Sequence, residues 1–243
     1  MRRHHLEIGP TFATVIAEDR FVPLAITDIT ERNRELLGYI ADHPDFLHAL
    51  EPVPVGRNAP PIVRAMARAA RRAGVGPMAA VAGAIAESAL RAMMAAGAVH
   101  ALVDNGGDIA MILAEPVTVG IFAGDSPIRD LALRFSPGPR VASVCTSSGT
   151  VGHSLSFGCA DAATVIAGDA ALADAVATAL GNSVRSLDPE FIGRGMTPLL
   201  ATGVDGLLVI AGDRLLTLGN LPERVRMPVD PRRASRQIGG GAA

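Results

Sequence analysis

Lysine and tryptophan are absent from this sequence of 243 residues, and aromatic residues make up only 3% of it. All 22 basic residues are arginine, which excludes a Schiff-base lysine and a lysine clamp on a phosphate. So few aromatic rings do not form a base-stacking platform for nucleic acid. Because the formal net charge is −2, no overall electrostatic attraction draws the chain to nucleic acid or to a membrane surface. We expect neither as a partner.

Cysteine and long hydrophobic runs are also scarce. The two cysteines, Cys145 and Cys159, do not form the framework of a disulfide-rich secreted protein, and they fit a reducing compartment. Residues 1–25 lack the apolar segment of a signal peptide. The longest apolar run, near residues 77–86, has about half the length that a bilayer span needs. We therefore expect a cytoplasmic protein.

What the sequence does contain is typical of a folded domain, with 49% hydrophobic and 19% charged residues. We expect a single domain over residues 1–243, with a frayed segment 1–7 and a tail rich in proline, arginine and glycine from about residue 222 to residue 243. Turn signals separate most of the short apolar runs. The pattern predicts an α+β fold, in which helices pack on one face of an antiparallel sheet.

The individual elements are predicted from apolar periodicity and turn residues. Residues 188–195 are expected to form a loop, and residues 18–20 a hairpin turn. The predicted helices are 30–41 (capped by Thr30), 61–73, 77–96 and 170–180. The predicted strands are 11–17, 21–27, 99–103, 109–113, 117–122, 131–135, 141–145, 160–167, 204–211 and 215–218.

The stretch 145–182 holds two patterns that suggest chemistry. A loop of hydroxyl side chains and glycine is predicted after an apolar strand, and its amides and hydroxyls suit a phosphate or pyrophosphate. The members of this loop are Thr146, Ser147, Ser148, Gly149 and Thr150. A run of this composition also occurs as a plain turn, so both interpretations stay open.

The second pattern lies on the helix that follows this loop. Asp169 is placed to cap its N-terminus, and Asp174 and Thr178, four residues apart, share one face. A carboxylate and a hydroxyl are oxygen donors of the kind that Mg²⁺ accepts beside substrate phosphates. The alternative is an ordinary solvated face of the helix.

Two glycine-containing segments could also approach a ligand. Asn105, Gly106 and Gly107 lie in the sequence D-N-G-G-D, which predicts a tight hairpin turn. In the functional alternative, the glycines admit a ligand close to the backbone and Asp108 binds one of its polar groups. The start of the helix predicted at 77–96 offers either an anion site or simply an exposed helix end.

His153 follows the hydroxyl loop and permits two further interpretations. Ser147 or Ser148 could form a serine hydrolase site with His153, although the chain has no G-x-S-x-G elbow. Cys145 and Cys159 could bind a metal with His153, or they could be small buried residues near strand ends.

Four ordered motifs together resemble an ApbE-related family, and most closely its small branch without an assigned function. The motifs are G-V-G-P-M-A-A-V-A-G-A-I-A-E from Gly74, D-N-G-G-D-I, C-T-S-S-G-T-V-G-H-S-L-S-F-G and A-D-A-V-A-T-A-L-G-N. The resemblance extends over most of the chain and implies a T-fold-like antiparallel sheet with long helices on one face. By analogy with T-fold proteins it also implies a homo-oligomer.

The better-known members of this family are Mg²⁺-dependent flavin transferases. They cleave FAD, release AMP and attach FMN to a serine or threonine of an acceptor protein. The resemblance implies that the G-G-D turn lies beside a flavin nucleotide and that the hydroxyl loop lies near its pyrophosphate. It further implies that Asp174 and Thr178 hold Mg²⁺ and that His153 acts as a catalytic acid or base.

The chain departs from the transferase pattern at two places. Ala82-Gly83 stands where the transferases have Lys-Gly, and Ser154-Leu155-Ser156 stands where they have Asp-Pro after the histidine. Phosphoryl transfer depends on placed charges, so the resemblance favours nucleotide binding over flavin transfer. The alternative to an enzyme is a non-catalytic nucleotide-binding or accessory module with the same fold.

Overall fold

An eight-stranded antiparallel sheet forms the centre of the computed structural model, which describes residues 1–148 and 158–228. The strands lie in the order β1-β2-β3-β4-β7-β8-β9-β10. They are β1 (Arg2–Ile8), β2 (Thr11–Ala17), β3 (Ala101–Asn105), β4 (Asp108–Leu113), β7 (Gly138–Ser147), β8 (Ala162–Ala167), β9 (Gly206–Ala211) and β10 (Arg214–Gly219). A second, three-stranded sheet has the order β11-β6-β5, with β5 (Val117–Gly120), β6 (Leu131–Phe135) and β11 (Glu223–Arg226).

The described helices contribute most of the core on one face of the large sheet. They are α1 (Val22–Asp42), α2 (Asp45–His48), α3 (Pro61–Ala73), α4 (Val81–Ala95), α5 (Ala170–Ser183) and α6 (Pro189–Leu200). Side chains alternate between the two faces of a strand. Val103, Ala110 and Val165 therefore pack under the helices, whereas Leu102, Met111 and Ile166 pack in a second cluster with Leu133 of the small sheet. The predicted α+β fold with helices on one face is confirmed.

Helix α4 lies at the centre of the helical layer. Together with the preceding 3-10 turn it gives a segment, Pro77–Ala95, that is long and apolar enough to cross a membrane by length and composition alone. In the fold it packs against α1, α5, β3 and β4, and Ala86, Ala89, Leu90 and Met93 are fully buried. Helix α4 is therefore apolar on all sides because it is surrounded by other elements of the fold.

The N-terminal predictions are partly wrong. The segment 1–7 is not frayed, because β1 pairs with β2 along its whole length, from Arg2 opposite Ala17 to Ile8 opposite Thr11. The predicted strand 21–27 is the start of α1, which begins at Val22 and not at Thr30. Pro23 stands in the first turn of that helix, where its missing N–H costs nothing.

The C-terminal predictions need two further corrections. The expected loop 188–195 belongs to α6, where the Asp188 carboxylate accepts the N–H of Glu190 as a helix cap. Part of the expected tail forms β11, which pairs with β6 from Glu223 opposite Arg134 to Arg226 opposite Leu131. Residues 229–243 of the tail lie outside the described residues. Strand β11 carries no strong apolar periodicity and is stabilised by its pairing with β6. Helix α6 does carry helical spacing, with Ile192, Met196 and Leu199 on one face behind the Asp188 cap, so the loop prediction overlooked a local signal.

Candidate functional site

The first turns of helices α4 and α5 pack closely against each other. The N–H of Gly83, in the first turn of α4, donates to Oδ2 of Asp174 on α5 at 2.9 Å. A Cβ atom at position 83 would lie 2.2 Å from the carbonyl oxygen of Ala170 and 2.9 Å from Cβ of Asp174. Only glycine therefore permits this approach, and the contact joins residues 91 positions apart in the sequence.

Asp174 occupies the position that an external anion would take at the start of α4. Its carboxylate interacts with the backbone N–H groups of Gly83 and Ala82, two of the amides that have no partner inside the helix. Asp174 is only 8% exposed. Burial raises its pKa to about 7, against the opposing effect of the two amides. The helix predicted to begin at residue 77 consists of a 3-10 turn, Pro77–Ala80, followed by α4 from Val81, and the amides at the start of α4 are bonded by a carboxylate of the chain itself. An anion site at residue 77 stays a prediction.

Asp108 brings a second carboxylate to the same side of the sheet. It begins β4 directly opposite Cys145 of β7, and it faces the helical layer because Ala110, two residues on, does so. Burial raises the pKa of Asp108 well above its usual value, and the charge of Asp174 raises it further. The Cys145 thiol and the Thr146 amide oppose this shift by hydrogen bonding to the carboxylate. The two acids are therefore close enough to influence each other's charge.

Cys145 lies beside Asp108 on the neighbouring strand and packs against the first turn of α5. It is fully buried, and its Sγ lies 3.5 Å from the carbonyl oxygen of Ala170. Burial raises the pKa of its thiol well above the usual value, and the neighbouring Asp108 and Asp174 add to that shift. A thiol kept neutral in this way is a poor nucleophile and a poor metal ligand, which favours the interpretation of Cys145 as a small buried residue. Both cysteines are free.

The D-N-G-G-D segment forms the predicted hairpin turn between β3 and β4. Gly106 and Gly107 have φ values of 73° and 97°, a region that L side chains rarely adopt, and Asp104 Oδ1 accepts the Gly107 N–H at 2.9 Å. The turn geometry alone therefore accounts for both glycines. The side-chain amide of Asn105 donates to the carbonyl oxygen of Ala82 at 3.2 Å, which joins the turn to the first turn of α4. A ligand contact at this turn stays a prediction.

The predicted hydroxyl loop begins later than expected. Thr146 and Ser147 belong to β7, and the Thr146 hydroxyl lies 2.9 Å from the hydroxyl of Thr164 on β8. Because Cys145 points to the helices, Thr146 points to the opposite face, away from Asp108 and Asp174. The fold therefore keeps the Thr146 side chain away from the two carboxylates, whereas the Thr146 backbone amide bonds to Asp108. Ser148 is the last described residue of this segment.

Several predicted site residues lie outside the described part of the chain. These are Gly149, Thr150 and His153, together with the departure Ser154-Leu155-Ser156. The serine hydrolase and metal interpretations that involve His153 stay untested for the same reason. Thr178 lies one turn beyond Asp174 on α5 and is partly exposed. The helix cap predicted at Asp169 is present, since its Oδ1 accepts the Leu172 N–H at 2.9 Å.

The sequence interpretation missed the residues that build this site from α4. Gly83 and Ala82 supply the amides that contact Asp174, and Oε2 of Glu87 accepts the N–H of Ala170 at 2.6 Å. A glycine inside an alanine-rich helix costs stability and is a signal of close packing, so Gly83 could have been identified. The partner of Glu87 lies 83 residues away and leaves no local signal.

The charge balance of the site determines what it can bind. The groups that shift the pKa values of Asp108 and Asp174 include no arginine and no histidine among the described residues. Within 1–148 and 158–228, no group of three or more histidine, cysteine, aspartate or glutamate side chains is arranged to hold a metal. Two neighbouring acids with a hydroxyl nearby can attract a divalent cation, which would need further oxygen ligands from water or from a substrate.

Comparison with known proteins gives consistent results at two levels. The family model described as AbpE bacteria matches residues 1–202. A UPF0280 protein of Methanocella arvoryzae is 49% identical over 227 residues, which cover 92% of this chain and 91% of that protein. A UPF0280 protein of Methanothrix thermoacetophila is 46% identical over 238 residues, with 95% and 98% coverage.

Two solved structures have the same fold. The ApbE protein of Thermotoga maritima superposes with a TM-score of 0.58 at 14% identity, covering 88% of this chain and 96% of that one. The apo form of the Pseudomonas stutzeri flavinyl transferase ApbE gives a TM-score of 0.51 at 14% identity, with 89% and 93% coverage. At this identity the likeness establishes the arrangement of helices and strands.

Proposed function

This chain belongs to the AbpE bacteria family, and from that membership we propose that it binds a flavin or another diphosphate nucleotide together with Mg²⁺. The resemblance carried by the four sequence motifs is confirmed at the level of family and fold. The Pseudomonas stutzeri protein with the same fold is named as a flavinyl transferase. Family and fold are therefore established, and what we propose is the ligand and the reaction of this chain.

The observation that carries the proposal is the pair of neighbouring carboxylates Asp108 and Asp174, whose pKa values no basic side chain among residues 1–148 and 158–228 is found to lower. Burying a charge is costly unless it is compensated, and the described groups that lower the pKa values of Asp108 and Asp174 are backbone amides and one thiol. A bound divalent cation would offset both charges and lower both pKa values. This expectation agrees with the Mg²⁺ prediction for Asp174 and Thr178.

The donor set fits magnesium chemically. The Asp174 carboxylate accepts hydrogen bonds from the Gly83 and Ala82 amides, and two oxygens with about four lone pairs retain capacity for a ligand. The Thr178 hydroxyl lies one turn along the same helix. Carboxylate and hydroxyl oxygens with water and phosphate oxygens form the coordination that Mg²⁺ prefers. Bound there, the ion would polarise the phosphoryl oxygens of a diphosphate.

The reaction we propose is attack on the pyrophosphate of FAD. A serine or threonine hydroxyl of an acceptor protein, or water, would form a bond to the phosphorus on the flavin side, and AMP would leave with the bridging oxygen. His153 is our candidate for the group that takes the proton from the attacking oxygen. The candidates for contacts to the nucleotide are the backbone amide of Thr146, residues 147–150 and the turn residues 106–108. The side chains of Thr146 and Asn105 are already bonded to Thr164 and to the Ala82 carbonyl oxygen.

A second candidate function is a nucleotide-binding module without turnover. Ala82 stands where the transferases have lysine, and the chain contains no lysine at all. The Ala82 and Gly83 amides also interact with Asp174, so they are not free to bind a phosphate directly. A site with this charge distribution would hold the nucleotide through the metal and lack a cationic side chain for the transition state.

Titration with FAD, in the presence and absence of Mg²⁺, distinguishes these functions when AMP and FMN are then measured by chromatography. Mg²⁺-dependent binding with release of AMP supports the transferase or pyrophosphatase. Binding without AMP supports the module. Absence of binding contradicts both. Asp174→Ala is expected to abolish the Mg²⁺ dependence, whereas Asp188→Ala, which removes the cap of the remote helix α6, should preserve it.

We also propose a cytoplasmic location and a homo-oligomeric state. The free cysteine Cys159, which is exposed, fits a reducing compartment, and the oligomer is an analogy with other T-fold proteins. Light scattering during gel filtration measures the assembly directly, and a monomeric mass would contradict this part of the proposal.

A further inference from the structure

Glu87 joins α4 to the beginning of α5. Its Oε2 accepts the N–H of Ala170 at 2.6 Å, and its Oε1 forms an ion pair with Arg91 on the same helix. Only 12% of the Glu87 side chain is exposed, and Ala170 is fully buried. Loss of this acceptor would leave a buried N–H without a partner, which costs a large part of its desolvation energy.

The contact made by Glu87 is the counterpart of the contact made by Asp174. Gly83 and Glu87 are four residues apart on α4, and Ala170 and Asp174 are four residues apart on α5. Glu87 contacts Ala170 and Gly83 contacts Asp174. Each helix therefore donates an amide from its first turn to a carboxylate one turn into the other helix. Two such contacts fix both the distance and the register between α4 and α5.

We propose that Glu87 is a positioning residue for Asp174. By holding the Ala170 amide, it keeps α5 in the register that places the Asp174 carboxylate under the amides of Ala82 and Gly83. The Asp174 carboxylate then has a fixed orientation, and so do the lone pairs that the amides do not use. The consequence for ligand binding rests on the proposed function, whereas the position of Asp174 is a property of the chain itself.

The first measurement reports the position of Asp174 without any ligand. In ¹H–¹⁵N spectra, the Gly83 amide proton reports its bond to the Asp174 carboxylate. Glu87→Ala is expected to move this signal toward that of an unbonded amide and to accelerate its hydrogen exchange about tenfold or more. Glu87→Gln keeps an acceptor oxygen for Ala170, so it should restore the wild-type signal. Glu87→Asp, one methylene shorter, replaces Glu87→Ala if that variant does not fold.

Two control variants separate positioning from general weakening of the helix end. Asp169→Ala removes the local cap of α5 and should destabilise the same helix without moving the Gly83 signal. Arg91→Ala removes the other partner of Glu87 and leaves the Ala170 contact in place. Both controls are expected to retain the wild-type exchange rate of the Gly83 amide within about twofold.

The second measurement is a calorimetric titration with Mg²⁺ alone. Removing a partner that orients a metal ligand typically weakens metal binding about 10- to 100-fold, and we expect at least the lower value for Glu87→Ala. Glu87→Gln, Asp169→Ala and Arg91→Ala should bind Mg²⁺ like the wild type. Glu87→Ala behaving like Asp169→Ala in both measurements would overturn the positioning role. Failure of the wild type to bind Mg²⁺ would count against the proposed function only, because the Gly83 amide still tests the positioning role.

Discussion

Two adjacent residues of β7, Cys145 and Thr146, lie on opposite faces of the large sheet, and the polar groups around them are compensated to different extents. On the face covered by the small sheet, Thr146 meets Thr164 in a neutral pair of hydroxyls 2.9 Å apart. On the helical face, Cys145 has Asp108 and Asp174 as neighbours, two acids with raised pKa values. The two hydroxyls satisfy each other's hydrogen bonding, whereas amides and a thiol offset only part of the cost of burying the two acids. Polar groups of the first kind support a fold, and those of the second kind indicate a site for a ligand.

The largest expected effect comes from removing the charge on the helical face. The pKa of Asp174 is raised from 3.8 to about 7 in the folded protein. The folded state therefore binds more protons than the unfolded state between these values, and wild-type stability falls as the pH rises through this window, by up to about 4 kcal/mol. Asp174→Asn should remove this loss, so that it is more stable than the wild type above pH 7 and similar to it near pH 4.

Urea unfolding of both proteins across that pH range measures the difference. Addition of Mg²⁺ should stabilise the wild type and leave Asp174→Asn unchanged, because a ligand stabilises the state that binds it. Equal pH dependence of the two proteins would show that Asp174 is already compensated in solution.

The next largest effect on stability is expected from Gly83, whose close packing against α5 positions Asp174. Gly83→Ala puts a Cβ atom against the Ala170 carbonyl oxygen, and relieving that overlap should cost about 3 kcal/mol. Gly193→Ala in α6 is the matched control, because the added carbon would have no described atom within 4 Å apart from its chain neighbours and the backbone of its own helix. That substitution should stabilise the protein by up to about 1 kcal/mol. Chemical denaturation gives both values, and similar values for the two variants would refute the close approach of α4 and α5.

A smaller effect tests whether Asn105 serves the fold or the ligand. Asn105→Ala removes the contact to the Ala82 carbonyl oxygen and should cost about 1 kcal/mol. We expect FAD affinity to change by less than about threefold at the same fraction folded. The exposed Asn220→Ala serves as the control for an asparagine without this contact. A large loss of affinity with unchanged stability would instead support the nucleotide contact predicted from sequence.

The smallest effect is expected on the opposite face of the sheet. Thr146→Val alone leaves the buried Thr164 hydroxyl without its partner and should cost about 1 kcal/mol, whereas the double variant with Thr164→Val should be close to neutral. FAD binding should be unchanged in both. Thermal unfolding of the two single variants and the double variant measures the coupling energy between the two hydroxyls. Loss of FAD binding in Thr146→Val would instead place the Thr146 hydroxyl in the site.

The sequence predicted the elements whose signals are local. Helix α3 and strands β2 and β6 begin and end where periodicity places them, and Asp169 caps α5 as its residue type indicates. Strand β1 escaped prediction because it is a polar edge strand that pairs on one side. The true beginning of α1 escaped because its apolar spacing, Val22, Ala25 and Ile29, overlaps an apparent alternation.

The candidate site was only half predictable for a related reason. Asp174 and Thr178 are recognisable from their spacing on a helix, and the G-G-D turn from its composition. The amides that contact Asp174 and the carboxylate that binds Ala170 come from α4, more than 80 residues earlier in the chain. Spacing within a segment gives no information on which distant segment packs against it.

The contact between α4 and α5 also has a consequence for the order of folding. The strands of the large sheet follow almost the order of the chain, so most strand pairs join near neighbours, which favours rapid formation. The contacts from Gly83 to Asp174 and from Glu87 to Ala170 span 91 and 83 residues. During synthesis, a chain that has reached residue 148 contains the amides of α4 but not yet the acid that binds them. The candidate site is therefore completed only when α5 docks, after five of the eight strands of the large sheet have been synthesised.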